Sequence, residues 1–289
     1  MKKNWLASAL ITATTLALPM ASAQTPSAAP PYAMPSTQMF DVKSDGGETY
    51  RIFISYPKGE APEGGYPVLY VMDGNAYFAS FAETRRLLEY VDRGKALVVG
   101  VGYPTDDAYD ARRTADFLFP VPTVGPPAQA KSQPDATHTG RDKFLDFLTG
   151  KLRLEIGKRF KIDPDRQSLF GHSFGGLFAI HALYAKPEAF QAIVAASPSL
   201  EWNVRDMLRE ERAFAAKLAS GAVARTSRLM LVAGDQDRDD DPEPARALAA
   251  RLELLSVYGL STRYRLYDDE IHMTVPARAV TDTFRFVLR

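Results

Sequence analysis

The chain has 289 residues, 35 Lys+Arg against 35 Asp+Glu for a formal net charge of zero, 46% hydrophobic residues and no cysteine. That balance is too apolar and too evenly charged for a disordered chain, and it lacks the basic excess that nucleic-acid binding needs. Without thiols there are no disulfides, thiolate zinc sites, iron–sulfur clusters or cysteine nucleophile, while the length suits one large or two small domains with a core that needs no staples.

Residues 1–23 read as a secretory signal. Lys2 and Lys3 supply the positive start, Leu6 to Met20 is mostly apolar or small, and Ala21-Ser22-Ala23 is a small-residue cleavage pattern. The apolar run is shorter than the roughly 20 residues a spanning helix needs, and no later segment is long and apolar enough to span. The expected location is therefore outside the cytoplasm, in the periplasm of a Gram-negative cell, with no membrane span in the mature chain. Residues 24–38 are rich in Pro, Ser and Ala and read as a flexible lead-in. Residues 39–289 read as a single domain.

Tyr50–Tyr56 alternates like a strand, with Asp45-Gly46-Gly47 as the turn before it and Phe40–Lys43 as its hairpin partner. Pro67–Met72 and Ala96–Val101 are continuous apolar runs, the mark of strands buried on both faces. A helix is predicted between them, over Tyr77–Val91. Residues 103–140 lose periodicity and collect six prolines, so a long loop is predicted there. Helical spacing returns over Lys143–Phe160. Strands are then predicted at Ser168–Gly171, Ala192–Ala196, Arg228–Ala233 and Thr262–Tyr267. They alternate with helices at Gly175–Ala185, Val204–Leu218, Ala245–Tyr258 and Val275–Leu288. This alternation predicts an α/β fold, a mostly parallel twisted sheet with helices on both faces.

The stretch Leu169-Phe170-Gly171-His172-Ser173-Phe174-Gly175-Gly176 contains G-x-S-x-G between a short apolar strand and a helix. In that context the motif is a nucleophile elbow. The turn is too tight for side chains at the flanking positions, it lifts the Ser173 hydroxyl above the sheet, and it puts the Phe174 N–H where a developing anion is favoured. A serine hydroxyl needs a base. Of four histidines, His272 stands between the last strand and the last helix, where this architecture places its base. His172 is expected to point away from the site and pack in the core. His181 lies inside a helix, and His138 in the Pro-rich loop. The orienting acid should follow the strand at 228–233, and Asp237 is preferred, with Asp235, Asp239, Asp269 and Glu270 as alternatives. A calcium loop starting at Asp235 fails on spacing, since Asp240 and Arg246 stand where it needs Gly and Glu. The second oxyanion donor is expected after the first buried strand, at Asn75, with Gly74 permitting close approach.

The segments at 66–78, 171–190 and 196–203 (YPVLYVMDGNAYF, GHSFGGLFAIHALYAKPEAF and ASPSLEWN) resemble the putative-esterase family of α/β-hydrolases. Within it they are most similar to the enterobactin and salmochelin trilactone esterases, including the periplasmic type. The likeness spans about residues 38–289. It implies the α/β-hydrolase fold, Ser173 and His272 as nucleophile and base, and ester hydrolysis without a cofactor. The leading substrate it implies is a siderophore trilactone. A short-acyl ester, thioester or feruloyl-type ester, acyl transfer, and a non-catalytic binding scaffold are the alternatives. The stretch Arg113-Thr114-Ala115-Asp116-Phe117 resembles the family's R-x-x-D-[YF]; Arg112 or Arg113 could hold a substrate there by paired hydrogen bonds. Trp202 and Tyr103 could wall an aromatic pocket. Glu201 departs from the tryptophan often found at its position. The sequence carries no signal for oligomeric state.

Overall fold

Three of the predicted strands, at Tyr66–Met72 (β3), Leu97–Gly102 (β4) and Ala192–Ala196 (β6), are buried along their whole length. Their apolar residues therefore face helices on both sides of a sheet. The computed structural model describes residues 32–91, 94–118, 140–237 and 241–289. The signal segment, most of the lead-in, His138, Asp239 and most of the Pro-rich loop lie outside the described residues. Pro35–Arg289 forms one compact unit.

The remaining strands are β1 (Thr37–Lys43), β2 (Thr49–Ser55), β5 (Ile162–His172), β7 (Arg228–Gly234) and β8 (Ser261–Tyr267). They form one eight-stranded sheet in the order β1-β2-β4-β3-β5-β6-β7-β8. The first three in that order are joined by antiparallel pairing, and every pair from β4 to β8 is parallel. The chain leaves β3 for β4 on one side and returns to β5 on the other. The crevice between the C-terminal ends of β3 and β5 is thus a topological switch point, where open α/β sheets bind ligands.

The helices are α1 (Gly74–Leu88), α2 (Arg113–Phe117), α3 (Gly140–Phe147), α4 (Arg153–Gly157), α5 (Phe174–Ala185), α6 (Val204–Ala219), α7 (Pro242–Glu253) and α8 (Val275–Val287). Strand alternation divides the core between two faces. Tyr70, Val99, Leu169, Ile193 and Leu231 pack with Phe144, Phe178, Phe214 and Leu248 from α3, α5, α6 and α7. Leu69, Val71, Phe170, Val194 and Val232 pack on the other face with Phe81 of α1 and Phe284 of α8. The fold is the predicted one.

Three local expectations change. Pairing of Thr37 with Ser55 draws the end of the lead-in into β1, so that strand starts before residue 39. The loop at 103–140 contains α2, held by Tyr50 and Tyr103 hydroxyls on Asp116. The helix expected over 143–160 is broken by a π-helical turn at Leu148–Leu152.

Gly74 also has a different role from the one expected. A Cβ there would lie 2.7 Å from the Gly100 carbonyl carbon and 2.8 Å from the Val101 nitrogen. Its missing side chain lets α1 touch the backbone of β4, and the residue is buried rather than open to substrate. Gly74→Ala must push α1 off β4. Urea unfolding should show a loss of about 1–3 kcal/mol; unchanged stability would mean the contact is not tight.

Candidate active site

β5 ends at His172, and Ser173 takes φ 56° and ψ −120° before α5 begins at Phe174. An L-residue at positive φ is strained, and such strain persists only where the surroundings hold it. Here the Ser173 N–H donates to the Ala196 carbonyl at 3.0 Å, and its own carbonyl accepts from Leu177 N at 3.0 Å. The turn is tight enough that a Cβ on Gly171 would lie 2.0 Å from the Gly175 oxygen, which accounts for glycine at the first position of the motif. Among the described residues the Phe174 N–H has no acceptor, and it lies at the positive end of α5.

β3 delivers the facing group. Its last residue, Met72, leads to Asp73 in the left-handed region and then to α1. The N–H groups of Ala76 and Tyr77 bond to the Asp73 carbonyl, whereas the Asn75 N–H has no acceptor among the described residues. The Asn75 side chain is spent on the backbone of Tyr103 and Thr105 at 2.8–3.0 Å, so only its backbone N–H remains for the site. The two helix starts are close: a Cβ on Gly175 would lie 3.3 Å from both Asp73 Oδ2 and Met72 Cβ.

β7 and the segment after β8 bring the imidazole and a carboxylate together. His272 Nδ1 lies 2.9 Å from Asp237 Oδ2, with both residues buried. Of the alternatives, Asp235 accepts from the Asp269 N–H at 2.8 Å, and the Glu270 carbonyl accepts from Gln236 N at 3.0 Å. These bonds staple the β7 loop to the β8 loop and present Asp237 to the ring. His272 stands beside the serine turn, since the ring of His172 lies 4.5 Å from that of His272 between centroids. The Ser173 hydroxyl is hydrogen-bonded to Ser199 Oγ at 3.2 Å. In this arrangement the hydroxyl and the His272 ring are not hydrogen-bonded to each other.

Several expectations are corrected. Arg113 faces inward: Nε and Nη2 lie 2.7 and 2.8 Å from the two oxygens of buried Asp73, and the guanidinium packs on the rings of Tyr109, Phe117 and Phe174. Arg112 donates to the Thr49 carbonyl at 2.7 Å and lies over Tyr50 and Tyr103. The Arg113 fork is taken up by Asp73 rather than left for substrate as expected, whereas Arg112 gives one N–H to a carbonyl and keeps a partly exposed side chain. Tyr103 is buried in the core, its hydroxyl on Asp116 at 2.9 Å. His172 is buried as expected, but it contacts the His272 segment rather than apolar core alone. His181 is a buried structural residue within 3.0–3.1 Å of Glu210 and Asp142. Trp202 is 40% exposed and stands edge-on to Phe174, with ring centroids 5.0 Å apart, so it remains available as a wall. Glu201 is exposed. Asp73 went unread in the sequence; its signal was an acidic residue ending a buried strand, with two arginines later in the chain.

A cavity of about 1250 Å³ opens at the other end of the sheet, between residues such as Leu88, Arg166, Phe284 and Arg289. None of the site residues lines it.

The chain was compared with known proteins. The family model described as "Putative esterase" matches residues 45–272. The ferri-bacillibactin esterase BesA of Bacillus subtilis is 32% identical over 265 residues, covering 89% of this chain and 91% of its own. The solved structure of the BES protein from Bacillus cereus superposes with a TM-score of 0.79 at 32% identity, over 90% of this chain and 98% of that one. The siderophore hydrolase EstB from Aspergillus nidulans gives 0.69 at 30% identity, over 89% and 96%.

Two measurements test the buried charges. Arg113→Ala strands the Asp73 carboxylate, so unfolding should show a loss of about 3–5 kcal/mol. Unchanged stability with a raised KM would restore the substrate-clamp role. Burial pushes the Asp116 carboxyl up to about 6, against the hydrogen bonds from Tyr103 and Tyr50 and the charge of Arg112. The folded chain thus keeps a proton that the unfolded chain gives up near its ordinary 3.8. The resulting stabilisation is complete below that value and is lost as pH rises through about 6. Relative to Asp116→Asn, the wild type should lose about 1–3 kcal/mol across that window; a difference independent of pH would refute the assignment.

Proposed function

The chain belongs to the putative-esterase family of ester hydrolases, and from that premise we propose that it cleaves the ester bonds of a siderophore through an acyl-enzyme on Ser173. The observation that carries the reading is the convergence at one sheet edge of a strained serine, two N–H groups with no acceptor among the described residues, and a histidine paired with a buried carboxylate. A binding scaffold has no need of such an arrangement.

The geometry supports acyl transfer in two stages. His272 donates Nδ1–H to Asp237, which leaves the Nε2 lone pair as the base. The Ser173 hydroxyl rotates from Ser199 toward Nε2; such bonds often tighten only when substrate arrives. Oγ attacks the ester carbonyl as His272 takes its proton. The Phe174 and Asn75 N–H groups hold the oxyanion. His272 then protonates the departing alkoxide, and water, activated by the same imidazole, releases the acid and restores the serine. Every step uses groups of the chain itself and needs no cofactor.

The substrate class is taken from the relatives, whose names describe siderophore ester cleavage. A catecholate trilactone is the leading candidate, and the exposed edge of Trp202 beside Phe174 offers a flat apolar wall for an aromatic group. Residues 1–23 are proposed to direct export, which would place hydrolysis in the periplasm.

The purified protein should linearise a catecholate trilactone and its ferric complex, read by chromatography, faster than it turns over simple p-nitrophenyl esters. Ser173→Ala should lower turnover of all of them by at least about 10³-fold with an unchanged fold. A fully active variant would overturn the mechanism. Good turnover of small esters with none of the trilactone would overturn the substrate.

A further inference from the structure

His172 is buried, and both of its ring nitrogens are engaged. Nε2 lies 2.9 Å from the backbone oxygen of His272, and Nδ1 lies 2.7 Å from the Tyr77 hydroxyl, which is 2.6 Å from the Tyr109 hydroxyl. A carbonyl oxygen only accepts, so Nε2 carries the proton. Nδ1 then accepts from Tyr77, and Tyr77 accepts from Tyr109. Tyr77 is further fixed by its edge contact with the Phe170 ring. The chain of donors therefore runs in one direction, from Tyr109 to the His272 carbonyl.

The bonds from Asp235 and Gln236 tie the segment that carries this carbonyl to the β7 loop, not to the serine turn. Ile271 and Met273, which flank His272, are both about half exposed and add little apolar packing. Asp237 holds the imidazole but does not tie it to the serine. His172 is the residue before Ser173, and its partner lies a hundred residues away in the chain. A single hydrogen bond thus links the backbone next to the serine to the backbone of the imidazole.

We propose that His172, kept in its Nε2–H form by Tyr77 and Tyr109, is a positioning residue that sets the reach from His272 to Ser173. The proposal rests on the reading of those two residues as base and nucleophile. Burial, chiefly, and the neighbouring His272 push the His172 pKa down to about 3. The ring therefore stays neutral and keeps the same donor and acceptor throughout the working range, and does not itself act as the base. The groups facing it are Tyr77 from α1, His272 and Asp237 from the C-terminal loops, and Arg113 from α2.

The test uses the full chain and four variants: His172→Phe, His172→Gln, Tyr77→Phe and Ser173→Ala. Steady-state kinetics on p-nitrophenyl butyrate run from about pH 5 to about pH 9, spanning the imidazole range, with active sites counted by burst titration. His172→Phe keeps a ring but no donor, so kcat per active site should fall about 10- to 100-fold with KM nearly unchanged. The loss should fall on kcat at every pH tested, since the donor positions the ring and does not bind substrate. His172→Gln restores an N–H donor and should recover part of kcat. Tyr77→Phe, the smaller change, should give a partial loss and decides the matter if His172→Phe does not fold. Normal kcat per site in these variants overturns the positioning role, even where fewer molecules are active. An active Ser173→Ala would instead overturn the functional reading on which the proposal rests.

Discussion

One residue, Ser173, is held at a backbone angle that L-amino acids avoid, and the rest of the site is arranged around it. A conformation of this kind costs about 1–3 kcal/mol. The cost is met by the elements on either side: the C-terminal half of β5 and almost all of α5 are buried in the core. Gly171 admits the oxygen of Gly175 where any side chain would collide. The return is a hydroxyl above the sheet edge and, beside it, a helix N–H with no acceptor among the described residues.

Parallel pairing brings the other groups to the same edge. Strands running one way end together, so the segments after β3, β5, β7 and β8 meet without a dedicated scaffold. The starts of α1 and α5 add two positive dipole ends at the switch point. The buried polar groups beneath are matched: Arg113 pairs with Asp73, and the His272 ring is hydrogen-bonded to Asp237.

Much of this was legible in the sequence because it is local. The unbroken apolar runs of β3, β4 and β6 announce strands covered on both faces, and G-x-S-x-G between strand and helix announces the turn. His272 and Asp237 are expected from their places after the last two strands, and the fold sets the two side chains 2.9 Å apart. What escaped was set by distant contacts. Alternation along β5 says that His172 faces away from the helix that follows, but not that the loop carrying His272 folds beneath it. Arg112 and Arg113 look alike in a row of residues. Only the position of α2 sends one to Asp73 and the other over Tyr50 and Tyr103. Gly74 could be read as a place for substrate to approach, whereas the approaching group is the backbone of β4. The residues that refine the site are therefore those whose partners lie tens of residues away.

The most direct test of the central claim is chemical labelling of the full-length protein with a fluorophosphonate, mapped by peptide mass spectrometry in the wild type and in His272→Ala. The account predicts one adduct, on Ser173, formed rapidly in the wild type and scarcely at all in the variant. An adduct on another residue, or equal labelling of Ser173 without the imidazole, would contradict it.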